Sequence, residues 1–433
     1  MKKNGFTLVE ITVCVVLLVT IFLLVVPKVN TMINNKKKNA YNSLISTVKD
    51  AAQAYVYLNV NIVDDAIESQ GYYEVSIRTL QENELLENKL ENPLTGKNIP
   101  STSIVKIIKN NEEYIYKFSL DYQYLLEHII DLYSSEETRI SNGLKKDNTP
   151  DQNIRYYGSD PNNYVSFNNE LWRIIGVFGN NVKLVRKDSL GKLSWDSSES
   201  SINGGVGINQ WGESKDADGN EYAGADLQVY LNKMYYGGTS VTCYGGTKNS
   251  TTTCPTNTLD NTAKALIDNH TWNTGAPNHS TLYNSTTQSY DTVEFYKAER
   301  GTVNGKICSS GTYCNDTVTR TTEWTGYIGL PYVTDYAYAS SENDCNTKID
   351  RSSTYKCKNN NWMHRSTSTW YMSPYAFPNN ATSVWYVYGD GSSGLSLAAD
   401  ALSAFPTIYL KSNVLIDSGK GTSSDPYILK AGL

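Results

Sequence analysis

Met1-Lys2-Lys3-Asn4-Gly5-Phe6-Thr7-Leu8-Val9-Glu10 opens the chain, and an apolar run continues to Val26 before Pro27 breaks it. A basic start and an apolar run describe either a secretory signal or a membrane anchor. Three details argue against the signal. The small residue Gly5 precedes the run, no small-x-small cleavage site follows it, and the carboxylate Glu10 sits one turn inside it. The 21 residues from Phe6 to Val26 match the roughly 20 that a helix needs to span a bilayer. A carboxylate inside such a helix is costly and calls for a cationic partner. No basic residue lies between Phe6 and Val26. A cut after Gly5 would create that partner, because the new ammonium on Phe6 of one subunit could neutralise Glu10 of a neighbour.

Gly5-Phe6-Thr7-Leu8-Val9-Glu10 resembles the prepilin peptidase site of type IV pilins and pseudopilins. The resemblance covers roughly the first 60 residues. It implies removal of residues 1–5, methylation of the new N-terminal Phe6, and assembly through Phe6, Glu10 and the helix-kinking Pro27. It also implies a long helix, 6–60, crossing the membrane and then running on as an amphipathic segment, packed on a small antiparallel sheet. The implied partners are a prepilin peptidase, other pilin subunits and the membrane. The implied placement is single-pass in the membrane before assembly, with the N-terminus cytoplasmic and the bulk outside, and then in a surface filament.

Beyond Pro27, Val29, Ile33, Ala40, Tyr41, Leu44, Ile45, Val48, Ala51, Ala52 and Tyr55 recur at helical spacing and predict an apolar stripe. Lys36-Lys37-Lys38 solvates the polar side. Residues 61–118 read as the sheet-bearing head: strands at 75–77, 104–108 and 114–118, a short helix over 79–90, and a turn at Asn92-Pro93-Leu94-Thr95-Gly96. Residues 119–150 read as a connector with one amphipathic helix near Tyr124–Leu132 and a polar tail, so a boundary is expected near 150.

Residues 151–433 exceed an ordinary pilin head and read as an extracellular domain. Strand-like 163–167, the turn Asn168-Asn169 and strand-like 171–177 form a hairpin signature. A third strand is expected at 181–186, helices at 226–235 and from 263, and a strand at 405–411. The runs Trp172-Arg173-Ile174-Ile175-Gly176, Tyr230-Leu231-Asn232, Ile328-Gly329-Leu330 with Asp335-Tyr336, and Leu410-Lys411 resemble C-terminal modules of Firmicutes surface proteins. In plan the region is similar to C-type-lectin-like domains: two short helices, long loops and a compact mixed sheet pinned by disulfides. The expected fold class is therefore α+β, a long helix on a small sheet followed by a large disulfide-pinned mixed domain.

Seven cysteines are present. Cys14 reads as a small apolar residue. The other six lie after residue 240, which suits an oxidising compartment. Of the pairings open to them, the local ones, Cys243–Cys254, Cys308–Cys314 and Cys345–Cys357, are favoured. Each would close a loop rich in small polar residues and stabilise it by about 2–3 kcal/mol.

The net charge of −6 offers no nucleic-acid footprint. The 33 tyrosines against 8 phenylalanines suit an exposed surface that meets a glycan or a protein. The four histidines, His128, His270, His279 and His364, stand in no catalytic motif, and no enzyme activity or cofactor is expected. Asp216, Asp218, Asn220 and Glu221 alternate oxygen donors around Gly219, a pattern Ca²⁺ can use. The same residues lack the full twelve-residue loop, and an exposed Asp-Gly turn is the favoured reading over a Ca²⁺ site. Trp362, Trp370, Tyr371, Tyr375, Trp385, Tyr386 and Tyr388 crowd together; their alternation favours a strand with one buried face over a binding surface.

The functional expectation is a minor type IV pilin or pilin-like filament subunit that displays a large interaction domain. The alternatives are a membrane-tethered lectin-like binding protein and a pseudopilin of a secretion or DNA-uptake system.

Overall fold

The computed structural model describes residues 36–431 apart from 38, 94–97, 100, 102, 111–112, 119–122, 198–208, 216–220, 223, 247–248, 304–305, 308–321, 352–355 and 377–381. The chain divides into two compact units, one ending at Tyr122 and one spanning Gln123–Ala431.

In the first unit a helix over residues 39–58 is followed, after a break at Asn59, by a second helix, Val60–Gln70. The helical path thus runs ten residues past the expected end at 60. It stops at Gly71, whose left-handed backbone (φ +83°) lets its N–H reach the Ile67 carbonyl at 2.8 Å. Strands Tyr73–Ser76, Ile104–Asn110 and Glu113–Lys117 pair antiparallel in that order. The stripe residues Val48, Ala51, Ala52 and Tyr55 pack with Val56, Val63, Val75, Leu80, Val105 and Ile107 into one core.

Two parts of the sequence expectation need correction here. Among the described residues no helix is long and apolar enough to cross a membrane. The helix over residues 39–58 carries Asn42, Lys49, Asp50 and Gln53 among its apolar positions. The membrane-crossing helix written into the fold class, and the single-pass placement that followed from it, are overturned on that ground. The residues to which they were assigned, 6–27, lie outside the described residues.

The boundary, in turn, falls between Tyr122 and Gln123, not near 150. Strand Gln123–Tyr124 pairs with Val414–Ser418, and Leu125, Ile129 and Leu144 are fully buried in the core of the larger unit. The expected connector 119–150 is therefore mostly framework.

The larger unit is built on a ten-stranded sheet. Its centre is Thr407–Leu410, Asn181–Arg186, Glu170–Phe178 and Tyr164–Phe167, with Ile328–Gly329 at one edge. Beyond Tyr164–Phe167 come Tyr427–Ala431, Val414–Ser418 and Gln123–Tyr124, while Leu144–Lys146 and Ile154–Tyr156 branch from Glu170–Phe178. The hairpin at Asn168-Asn169 is a two-residue turn: Phe167 pairs with Glu170, and both asparagines have positive φ (57° and 55°). That is the mirror-image turn whose twist suits a hairpin.

A second sheet of five strands contains Lys192–Ser194, Thr369–Pro374, Ser383–Val387, Ser393–Leu397 and Ala401–Ser403. Two sheets of this size replace the expected compact lectin-like plan. The expected helix at 226–235 is α only over Asp226–Val229 and widens into a π-type turn over Tyr230–Tyr236. Asn232 lies in that widened segment. Its side chain donates to the Ile328 carbonyl (2.9 Å) and accepts from the Ile328 amide (3.0 Å), which ties the segment to the sheet edge.

Candidate functional site

The most unusual chemistry in the larger unit lies in its interior. Arg155 stands on the strand Ile154–Tyr156, opposite Lys145, and the hairpin brings Asp147 beside it. Arg155 Nε donates to Asp147 Oδ2 at 2.6 Å. The other Asp147 oxygen accepts from the Thr149 hydroxyl (2.6 Å) and the Asn153 amide (3.0 Å). Arg155 Nη1 reaches across the fold to Asp335 Oδ1 at 2.7 Å. Asp335 Oδ2 accepts from Lys183 Nζ at 2.6 Å and from the Tyr332 amide at 2.9 Å.

These four charged side chains are at most 1% exposed. Two cations balance two carboxylates, the condition under which buried charge is tolerated. Burial alone would push both carboxyls up. Lys183 and Arg155 outweigh it at Asp335, and Arg155 does so at Asp147, so both are held below the ordinary carboxylate range.

Lys183 responds in the opposite sense to its partner, and the surroundings explain why. Asp335 has two cations and a backbone N–H, whereas Lys183 has one anion and a ring of aromatics. Its Nζ lies 4.2 Å from the centroid of Tyr332, 5.2 Å from Phe178, 5.3 Å from Tyr409 and 5.7 Å from Trp272. Burial pushes the amine down to about 8, against the opposing pull of Asp335. Strand register places Lys183 opposite Tyr409 on one side and opposite Gly176 on the other. Side-chain bulk is barred at Gly176, where a Cβ would stand 2.1 Å from the Ile154 carbonyl oxygen.

Glu299, at the end of the helix Thr292–Glu299, is also fully buried. It accepts from the Thr334 hydroxyl (2.5 Å) and amide (3.2 Å), bracing the helix Val333–Tyr338 that carries Asp335. Burial pushes its carboxyl up to about 7, despite Arg300. Lys145, whose Nζ donates to the Ser340 carbonyl and to Asn346, is pushed down to about 7 by burial, with Arg155 adding to the effect.

The residues singled out from the sequence fall as follows. Gly5, Phe6, Glu10 and Pro27 lie outside the described residues, as do Cys308 and Cys314. Cys243–Cys254 and Cys345–Cys357 are bonded as expected. Asp216, Asp218 and Asn220 lie outside the described residues, and Glu221 begins the short strand Glu221–Tyr222. Among the described residues no group of three His, Cys, Asp or Glu side chains is placed to hold a metal.

Trp362, Trp370, Tyr371, Tyr375, Trp385 and Tyr386 are all buried. The indole N–H groups of Trp362, Trp370 and Trp385 donate to the carbonyls of Tyr156, Leu193 and Pro277. Covering is not confined to one face, as the alternation implied: Val384, Trp385, Tyr386 and Val387 are buried in succession. Tyr388, 40% exposed, is the member that reaches solvent. It lines a polar cleft of about 340 Å³ with Arg351, Asp390, Ser392, Ser393 and Gly394. His128 and His279 each meet a tyrosine hydroxyl at 2.9 Å, and His270 stacks on Tyr409 with ring centroids 3.7 Å apart.

Sequence reasoning missed Arg155, Lys183 and Glu299 as a group and placed Asp335 only within a resemblance. Lys183 stands within Val182-Lys183-Leu184-Val185, where a strand-forming run is the only signal and gives no warning of its burial or its partner.

No protein-family model matches the chain, and neither a curated protein nor a solved structure shows significant similarity to it.

Proposed function

We propose that the chain is a minor subunit of a type IV pilin-like filament, displaying Gln123–Ala431 as an interaction domain. The observation that carries this reading is Gly5-Phe6-Thr7-Leu8-Val9-Glu10, whose order of glycine, phenylalanine and, four residues on, glutamate resembles a prepilin peptidase site. The helices packed on a three-stranded antiparallel sheet in the first unit support it. So do the two disulfides of the larger unit, which suit an oxidising compartment. A prepilin peptidase and other pilin subunits are the partners of this reading. The bulk of the larger unit favours a minor subunit, since such heads would crowd a regular helical array. Within this reading the cleft beside Tyr388, with one cation, one carboxylate, hydroxyls and a half-exposed ring, is where a polar surface ligand such as a glycan would make contact.

The test is the N-terminus of the mature protein from its native host. Mass spectrometry should find a chain beginning at N-methylated Phe6, and the Glu10→Ala variant should be missing from sheared filaments while the wild type is present. A mature chain that retains Met1 to Gly5 would overturn the reading.

A further inference from the structure

The geometry points to an intramolecular amide bond between Lys183 Nζ and Asp335 Cγ, formed by condensation of the two buried side chains. The proposal is independent of the filament reading, because it concerns only the interior of the larger unit.

The reacting groups are already in contact. Lys183 Nζ lies 2.6 Å from Asp335 Oδ2, and the two side chains are 0% and 1% exposed. Lys183 is held by a central strand and Asp335 by a helix braced through Thr334 to Glu299. An amine and a carboxyl fixed in contact react with an effective concentration far above any in free solution.

The surroundings favour the product. In its present form the ammonium has three donors, yet it faces one carboxylate and four aromatic rings. An amide nitrogen keeps a single N–H and no charge, which suits a cage of rings better. Burial pushes the Lys183 amine down to about 8, so uncovering the uncharged nucleophile costs less than at an exposed lysine. Arg155 Nη1, 2.7 Å from Asp335 Oδ1, is placed to polarise the carbonyl and to stabilise the oxyanion that forms on attack.

The step balances without any co-reactant. The ammonium passes one proton across the short hydrogen bond to Oδ2, leaving amine and carboxylic acid. The nitrogen lone pair attacks Cγ, a second proton moves from nitrogen to oxygen, and the Cγ–Oδ2 bond breaks with loss of one water. Oδ1 remains as the amide oxygen, still receiving the hydrogen bond from Arg155. One positive and one negative charge disappear together, so the remaining buried pair, Arg155 with Asp147 at 2.6 Å, stays neutral. Exclusion of bulk water then opposes the reverse hydrolysis.

The experiment is mass spectrometry on the full chain, reduced, alkylated and denatured. The expected mass is lower than the sequence mass by one water. Trypsin should release residues 174–186, uncut after Lys183, joined to residues 321–348. Asp335→Asn should give a chain of the same mass as the cross-linked wild type, because ammonia leaves in place of water. Lys183→Met should show its full sequence mass. A wild type with its full mass and separate tryptic peptides would overturn the proposal. Water loss that persists in Lys183→Met would also overturn it, since the loss would then arise elsewhere, as in a succinimide.

Discussion

Replacing Glu299 by glutamine tests how dry the interior beside Asp335 is. Glu299 is fully buried, and burial pushes its carboxyl from 4.5 up to about 7. Between those two values the folded chain holds a proton that the unfolded chain has released. Stability therefore falls as pH rises through the window; the contribution is complete below about 4.5 and gone above about 7. At about 1.4 kcal/mol per pH unit, the interval corresponds to about 3 kcal/mol. Glu299→Gln is neutral at every pH in the window and keeps an oxygen acceptor for Thr334, so it should lose this slope. His128 acts oppositely: burial lowers it to about 4, so its contribution to stability rises with pH toward 6.5. It is common to both chains and cancels in their difference. All eight tryptophans lie in the larger unit, so their fluorescence during urea unfolding reports that unit. Wild-type stability minus variant stability should drop by about 3 kcal/mol between about pH 4.5 and about pH 7.5. A difference that stays constant across the window would refute the reasoning, because Glu299 would then titrate as an ordinary carboxyl.

Two further changes probe the local devices of the same unit. Cys243→Ala combined with Cys254→Ala opens a loop with a sequence separation of 11 and should cost about 3 kcal/mol in urea unfolding, a loss that reduction of the wild type should reproduce in part. Asn169→Gly keeps the positive φ of the hairpin at no steric cost and should raise stability by about 0.5–1 kcal/mol, while Asn169→Val should lower it; the urea midpoint separates the two.

Local signals carried the sequence reading where the physics is local. Asn168-Asn169 between two β-rich runs announced a two-residue hairpin because few residues accept left-handed backbone twice in succession. The two described cysteine pairs, Cys243–Cys254 and Cys345–Cys357, were legible because each closes a short polar loop. Leu125 and Ile129 show the limit. Their helix is amphipathic and its tail polar, which is how a connector reads, yet both side chains are fully buried against strands that arrive near the end of the chain. The boundary at Tyr122 depends on the pairing of Gln123–Tyr124 with Val414–Ser418, a contact no local pattern encodes. Lys183 and Asp335 fail for the same reason. A lysine in a strand normally marks a solvated face, and only the fold reveals that both faces are covered.

The cross-links and the charged cluster divide the work of holding the larger unit together. Each described disulfide spans a short stretch, 11 or 12 residues, and so restrains a loop without tying distant parts of the chain. The charged cluster does the opposite. Arg155 and Asp335 are separated by 180 residues, Lys183 and Asp335 by 152. Because the entropy of an unfolded loop grows with its length, a covalent bond across 152 residues would restrict the unfolded chain more than either disulfide does. It would also survive reducing conditions that open both. The same geometry sets the cost of losing it: with Lys183 truncated, Arg155 must balance two buried carboxylates alone, and Asp335 must take up a proton or admit water. The interior around Asp335 is thus either a balanced set of ions or a smaller balanced set plus one amide, and the mass of the purified chain distinguishes them.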